Sequence, residues 1–456
     1  MLNYQHLLIA QKDYFNSNIT KDLDWRIQQL KQIKQLVIDN EAEIFSALHS
    51  DLKKPAQEAW VTELSYITLD VDHVLKHLKK WSKRRKVWTP LIVLPGKSYI
   101  QPEPQGSVLI MGAWNYPLQL ILAPLVAVVS AGNCAVVKPS ELAPAVSSLL
   151  AKLIPQYLDN KAFSVVEGAV AETTALLELP FDHIMYTGNG MVARIVMSAA
   201  AKHLTPVTLE LGGKSPVFVD QSAHIDITAQ RLAWGKWMNA GQTCIAPDYI
   251  LTSAAMVEPL VTALKKQIKA MFTIDPSSSD SYGRIVNSRH TERLSQYLDS
   301  GEIVHGGKFD IDKKYFEPTI IVNPAMDSKL MSEEIFGAIF PIITVDDYQA
   351  AKDIVIGREK PLASYIFTRD KAQQQDWVKS IGSGSQCIND VIMFNAVPDL
   401  PFGGSGPSGM GQYSGKIGFE NFSHLKSVLE RPFLKDLAVR FAPYSNFKFK
   451  LLRKIR

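Results

Sequence analysis

Apolar residues recur at helical spacing early in the chain, with Ile27, Leu30, Ile33 and Val37 on one face of the segment 22–52. The segment 90–104 interrupts that pattern with prolines and predicts an extended connector or an outlying strand. Beyond it, short apolar runs alternate with longer amphipathic ones. Residues 107–111 predict a strand, 117–130 a helix, 134–138 a strand and 145–158 a helix. The rhythm continues through 163–167, 171–178, 183–186 and 191–202. A second series places strands at 216–219 and 249–251 around a helix at 229–238, with further signals at 342–345, 350–355 and 364–367. Strands alternating with helices predict an α/β protein built on doubly wound parallel sheets.

A chain of 456 residues exceeds one ordinary core, so two or three domains are expected. The hydrophobic share of 46% and charged share of 21% describe a soluble globular protein. The opening residues lack the charged and apolar regions of a secretory signal. The longest apolar run, 118–131, contains Gln119 and Pro124 and is too short to span a bilayer; it predicts a buried core helix. Three cysteines (Cys134, Cys244 and Cys387) without a Cys-x-x-Cys or His-x-x-x-His pattern predict reduced thiols, a cytoplasmic setting and no metal site. The net charge is +4, yet from Arg431 to Arg456 eight basic residues face one acid, Asp436. The remainder is slightly acidic, which excludes a chain-wide surface for nucleic acid.

Candidate chemistry concentrates in a few strings. Cys244 ends Asn239-Ala240-Gly241-Gln242-Thr243-Cys244, and Glu210 lies in Leu209-Glu210-Leu211-Gly212-Gly213. A cysteine and a carboxylate framed by glycines suggest a nucleophile and a general base. Asn115, in Ala113-Trp114-Asn115-Tyr116-Pro117, is a candidate oxyanion donor. Each has a plainer reading: a buried thiol, a solvated strand-end carboxylate and a turn residue before proline. Gly188-Asn189-Gly190-Met191-Val192-Ala193 fits the Gly-x-Gly-x-x-Gly/Ala template between a strand and a helix, where free amides suit phosphate. Alone it is equally a tight strand–helix turn. Lys138-Pro139-Ser140-Glu141 ends a strand, where ligands gather in open parallel sheets, and Lys138 and Glu141 suit ribose hydroxyls.

Taken jointly, these strings resemble the aldehyde dehydrogenase superfamily, most closely its class 3 branch of fatty and aromatic aldehyde dehydrogenases. The resemblance runs to about Pro432. It also rests on Tyr186-Thr187-Gly188-Asn189, on the run from His203 through Glu210 to Pro216, and on the run from Gly241 through Cys244 to Tyr249. Glu333-Glu334-Ile335-Phe336-Gly337 and Pro401-Phe402-Gly403-Gly404 complete it. The resemblance implies a cofactor domain (1–81 and 106–208), a catalytic α/β domain (209–395) and a bridging or oligomerisation element (82–105 and 396–430), followed by a basic tail (431–456). It implies Cys244 as nucleophile, Glu210 as the base for the deacylating water, and Asn115 with the Cys244 amide around the oxyanion. Trp114, Lys138, Glu141, Thr187, Gly188, Asn189, Gly190, Met191, Val192, Ala193, Leu211, Glu334 and Phe336 are the implied contacts of NAD, or of NADP in its place. One departure is Ala193, where relatives commonly carry glycine.

The implied activity is oxidation of a medium- or long-chain aliphatic or aromatic aldehyde to the acid through a cysteine thioester. Trp234 and Tyr66 are candidate pocket walls. A homodimer is expected, with weak membrane contact through the basic tail as a further option. A cysteine hydrolase would need a histidine base, and the glycine-framed strings Leu209–Gly213 and Asn239–Cys244 contain none. The same fold also accommodates an acyl-thioester reductase or a non-catalytic structural relative, and retention of Cys244, Glu210 and Asn115 argues against both.

Overall fold

A computed structural model describes residues 3–454. Its first large sheet runs, edge to edge, through Gly409–Met410, Val207–Glu210, His183–Thr187, Ser107–Met111, Cys134–Lys138 and Phe163–Val165. All pairings are parallel except that of Gly409–Met410, which caps the edge antiparallel. Alternate residues of the central strand enter different cores. Val108 and Ile110 meet the helices Leu23–Asp39, Ser65–Trp81 and Gln119–Ala131, while Leu109 and Met111 meet Gln5–Asn16 and Gly190–Ala201. A strand buried on both faces reads as a continuous apolar run, which is why 107–111 carries no polar alternation.

The second sheet repeats the design. Its order is Glu302–His305, Thr319–Val322, Ile339–Thr344, Tyr249–Thr252, Pro216–Val219, Ala363–Phe367 and Ser385–Ile388. Val217 and Val219 face Ile225–Trp237 and Ala254–Phe272, whereas Phe218 faces Tyr348–Ile356 and Lys371–Ser380. One apolar cluster runs through the sides of both sheets that carry Val108 and Val217, so the two sheets share a core. The predicted doubly wound α/β architecture is therefore present twice.

A third, three-stranded antiparallel sheet joins Arg85–Val87, Lys97–Pro104 and Ser423–Glu430. The proline-marked segment is thus an outlying strand, paired without interruption from Ser423 opposite Pro104 to Glu430 opposite Lys97. The segment 396–430 also sends Gly409–Met410 to the first sheet, so it touches more than the small one.

Local signals account for the key boundaries. The Asp22 carboxylate accepts from the amides of Asp24 (2.8 Å) and Trp25 (3.1 Å) and starts Leu23–Asp39. Every residue of Gln119–Ala131 is buried, and Gly132 at φ 94° ends the helix in the left-handed conformation that glycine adopts without penalty. Among the described residues no helix is long and apolar enough to cross a membrane.

Candidate active site

Cys244 follows a backbone turn that few side chains tolerate. After Ile225–Trp237 the residues Asn239 (φ 51°), Ala240 (φ 52°) and Gly241 (φ 80°) are all left-handed. Each non-glycine residue in that region costs about 1–2 kcal/mol, least for asparagine. Hydrogen bonds offset the strain. The Asn239 side-chain amide donates to the carbonyls of Asn115 (2.8 Å) and Gln242 (3.2 Å), and its backbone N–H donates to Glu58 (2.9 Å). Gln242 donates to the carbonyls of Asn239 (3.0 Å) and Arg284 (2.9 Å) and accepts from the Val286 amide (2.9 Å). A Cβ at Gly241 would strike the Gly337 carbonyl, so only glycine fits there.

Asn115 is buried, and its Nδ2 donates to the Gln242 carbonyl at 3.0 Å. One of its two N–H groups is thereby used and one is left over. Tyr116 ties the next residue by a 2.6 Å hydroxyl pair with Thr243. Asn115 and Cys244, 129 positions apart by their numbers, are thus joined through one short loop.

The acids here are desolvated. Glu210 ends the strand Val207–Glu210, is buried, and has no hydrogen-bond partner on either carboxyl oxygen. Burial lifts its carboxyl well above the usual range. Glu334 is half-buried over Gly212, where a Cβ would collide with its carboxylate, and burial raises it to about 8, with Asp248 adding to the rise. Burial pushes the half-buried Cys244 thiol up, and the carboxylates of Glu334 and Glu210 add to the effect. The backbone amides of Cys244 and Ile245 pull it back.

The first sheet reverses strand order between Ser107–Met111 and His183–Thr187, which is where doubly wound sheets bind dinucleotides. The carboxyl ends of those strands lead into Trp114 and into Gly188-Asn189. Asn189 caps Gly190–Ala201, its side chain accepting from the Val192 amide (3.0 Å). The Tyr186 phenol occupies the space a Cβ at Gly188 would need. The Thr187 hydroxyl is buried without a partner, and space beside Gly190 is bounded only by Arg194. Lys138 is buried, donating to the Pro139 carbonyl (2.9 Å) and to exposed Glu141 (3.1 Å). An orphaned hydroxyl, an open helix start and a buried ammonium at a switch point fit a dinucleotide. Trp114 lies edge-on to Phe336 at 5.3 Å and beside His290 at 5.4 Å.

Not every expected position converges. Met191 is 73% exposed, and Ala193 is buried in the core behind its helix. That location suits the third small residue of the template, whose task is close helix–strand packing. The Leu211 amide donates to the Ser408 carbonyl (3.1 Å), tying the strand end to the glycine loop. Sequence reasoning did not single out Lys54, Glu58 and Glu63, which pack behind the site. The only signal was Pro55 ending a helix beside two lysines; a charged residue in a helical pattern ordinarily reads as solvated. Asn239 and Gln242 lie in the cysteine string itself, but nothing in its residue types showed that their side chains brace the turn.

A doubly wound dinucleotide-type sheet packed on a second α/β sheet that presents a cysteine describes a nicotinamide-dependent oxidoreductase. The aldehyde dehydrogenase family model matches residues 9–428. The chain is 45% identical to aldehyde dehydrogenase family 3 member H1 of Arabidopsis thaliana, covering 99% of this chain and 94% of that one. It is 44% identical to the dimeric NADP-preferring aldehyde dehydrogenase of Rattus norvegicus, over 95% of this chain and 96% of the relative. The solved structure of a substrate-bound state of Staphylococcus aureus AldH superposes with a TM-score of 0.97 at 41% identity, covering 100% of this chain and 99% of that one. The chain belongs to the aldehyde dehydrogenase family, in its class 3 branch. It is an NAD(P)-dependent aldehyde dehydrogenase.

The raised Glu210 carboxyl has a consequence for stability. Below the unfolded value of about 4.3 both states hold the proton and Glu210 contributes nothing. As pH rises from there towards the folded value, only the unfolded chain ionises, and stability falls. Glu210→Gln is expected to be more stable than the parent, by a margin growing by up to about 1.4 kcal/mol per pH unit within that window. Denaturant melts at pH 5 and pH 8 check this, and a margin independent of pH would contradict it.

Proposed function

We propose that Cys244 is the nucleophile, Asn115 with the Cys244 amide the oxyanion site, and Glu210 the base for deacylation. The observation that carries this reading is the buried Glu210 carboxyl, both oxygens unpartnered, in the same desolvated site as the thiol. Once the thiol proton has passed to water, addition of Sγ to the aldehyde carbon breaks the carbonyl π bond and moves charge onto the oxygen, which the spare N–H of Asn115 stabilises. An oxidised dinucleotide at the switch point would supply the hydride acceptor and a positive charge that favours the thiolate. The resulting acyl group sits on Cys244 as a thioester. Water reaching Glu210 solvates the carboxyl, lets it ionise, and then yields a proton to it while attacking the thioester. Lys138, Glu141, Thr187, the helix start at Gly190, Glu334, Phe336, Trp114 and Leu211 would hold the dinucleotide, while Val192 and Ala193 support the helix.

The division of labour follows the sheets: 1–81 with 106–208 for the cofactor, 209–395 for the nucleophile, and 82–105 with 396–430 for bridging. Exposed Trp88, Leu91, Ile92, Leu425 and Leu429 support a homodimer formed through the small sheet, in keeping with the rat relative's description as dimeric. Tyr66 and Trp234 pack against the same core as Cys244 and support a medium- or long-chain aliphatic or aromatic aldehyde as substrate. Free thiols at all three cysteines suit a cytoplasmic setting.

A second reading concerns the tail. Phe433, Leu437, Tyr444 and Phe447 are exposed beside basic residues, and no residue of the helix Asn446–Lys454 is buried. Ile455 and Arg456, included in the same expectation, lie outside the described residues. Weak contact with an anionic bilayer gains about 1 kcal/mol per basic residue at the surface.

Cys244→Ser is expected to lose aldehyde oxidation by at least about a thousand-fold while binding NADH normally, because a hydroxyl is the weaker nucleophile. Activity within about ten-fold of the parent would remove Cys244 from the chemistry. Glu210→Gln is expected to release one burst of NADH and then stall; stopped-flow traces with a normal steady state would refute the assignment. For the tail, sedimentation with anionic liposomes at low salt should be stronger for the full chain than for one ending at Arg431. Equal sedimentation removes the membrane role.

A further inference from the structure

The cysteine loop and Asn115 belong to different sheets, and the charges that join them come from a third place, the segment 54–63. The side chains of Lys54 and Glu63 are fully buried, with Nζ and Oε1 2.5 Å apart. Lys54 Nζ also donates to the Asn115 carbonyl (3.2 Å) and lies 4.1 Å from the centroid of the Tyr116 ring. The other Glu63 oxygen accepts from the amides of Leu118 (2.9 Å) and Gln119 (3.2 Å) at the start of the buried helix. Glu58 accepts from the Asn239 amide (2.9 Å), and Asn239 in turn donates to the Asn115 carbonyl (2.8 Å).

The Asn115 carbonyl therefore receives two donors, one from the cysteine loop and one from Lys54. Together they fix the rotation of the peptide that carries the Asn115 side chain. A buried ion pair is a poor source of stability, since well-packed apolar residues often do as well or better. Its geometry here does something packing cannot: it aims an ammonium at one carbonyl.

We propose that Lys54, clamped by Glu63, is a positioning residue for acylation, holding Asn115 so that its free N–H meets the oxyanion formed on Cys244. This rests on the reading of Asn115 as the oxyanion donor. A displacement of about 1 Å in such a group costs on the order of a hundred-fold in rate.

The test uses the full-length enzyme. Lys54→Met/Glu63→Gln removes both members of the ion pair together, so neither is left as the buried charge of a broken pair, and the new amide oxygen still accepts from Leu118. Stopped-flow measures the NADH burst, and fluorescence titration measures NADH affinity, each with Asn115 present and in an Asn115→Ala background. The burst is expected to slow by about 10- to 100-fold with Asn115 present and by less than about three-fold without it. NADH affinity is expected to stay within about two-fold, a split that general loosening of the fold would not give. Lys54→Gln, one atom shorter and still a donor to Glu63, keeps the polar pairing and reports the same contrast if the charge-free pair folds poorly. A burst within about three-fold of the parent, or equal losses in both backgrounds, overturns the proposal. Should Asn115→Ala alone leave the burst unchanged, the oxyanion assignment falls with it. Where Asn115→Ala slows the burst and the Lys54 variants do not, only the positioning role falls.

Discussion

The left-handed run Asn239-Ala240-Gly241 is the constraint on which the site depends, since it turns the chain sharply enough to present Cys244 after a buried helix. Such a backbone does not persist on its own. It is kept by bonds from three other parts of the chain: Glu58, Asn115 and the segment that carries Arg284 and Val286. Glycine at 241 satisfies a second demand, because the Gly337 carbonyl leaves no room for a side chain. The same bonds that brace the turn also hold the Asn115 amide, so Cys244 and Asn115 share one support.

Desolvation sets the electrostatics around that support. Glu210, Glu334 and the Cys244 thiol are all pushed towards their neutral forms, burial being the first cause in each case. Glu58, which braces the turn, is likewise raised to about 7 by burial. Deeper in the second sheet, Lys214 pairs with Asp248 at 2.6 Å, and Lys236 lies 3.9 Å from the same carboxylate. The Lys236 Nζ has no hydrogen-bond partner, and burial lowers it to about 8. Ions that are poorly solvated before substrate arrives respond strongly to each added charge or water, which suits a site whose reactive groups must change protonation in sequence.

The sheets explain why these groups meet. Parallel sheets collect their ligands at the carboxyl ends of strands, and both Glu210 and Thr187 occupy such ends in adjacent register. The antiparallel strand Gly409–Met410 closes that edge and brings the glycine loop against Leu211. The second sheet contributes the cysteine loop from the helix that precedes Tyr249–Thr252. A shared core joins the two sheets.

Periodicity alone carried the α/β class and most strands of the two large sheets, because strands buried on both faces are short, apolar and bounded by turns, though it passed over Val207–Glu210 and Thr319–Val322. Periodicity does not carry the strings around Cys244, Glu210 and Asn115, which stand out by residue type, by the glycines and prolines that frame them and by their resemblance to the family. It does not extend to the 19-residue helix Ala254–Phe272, whose buried face (Leu260, Leu264, Ile268 and Phe272) keeps helical spacing but whose exposed side carries Pro259, a residue that ordinarily ends a helix. Nor did it reveal the second duty of 396–430, since a two-residue edge strand leaves no pattern. Above all, Lys54 and Glu63 look in sequence like any solvated helix charges. Only packing decided that they are fully buried and 2.5 Å apart, with Lys54 directed at Asn115, because burial and pairing depend on elements far apart in the chain that no local pattern encodes.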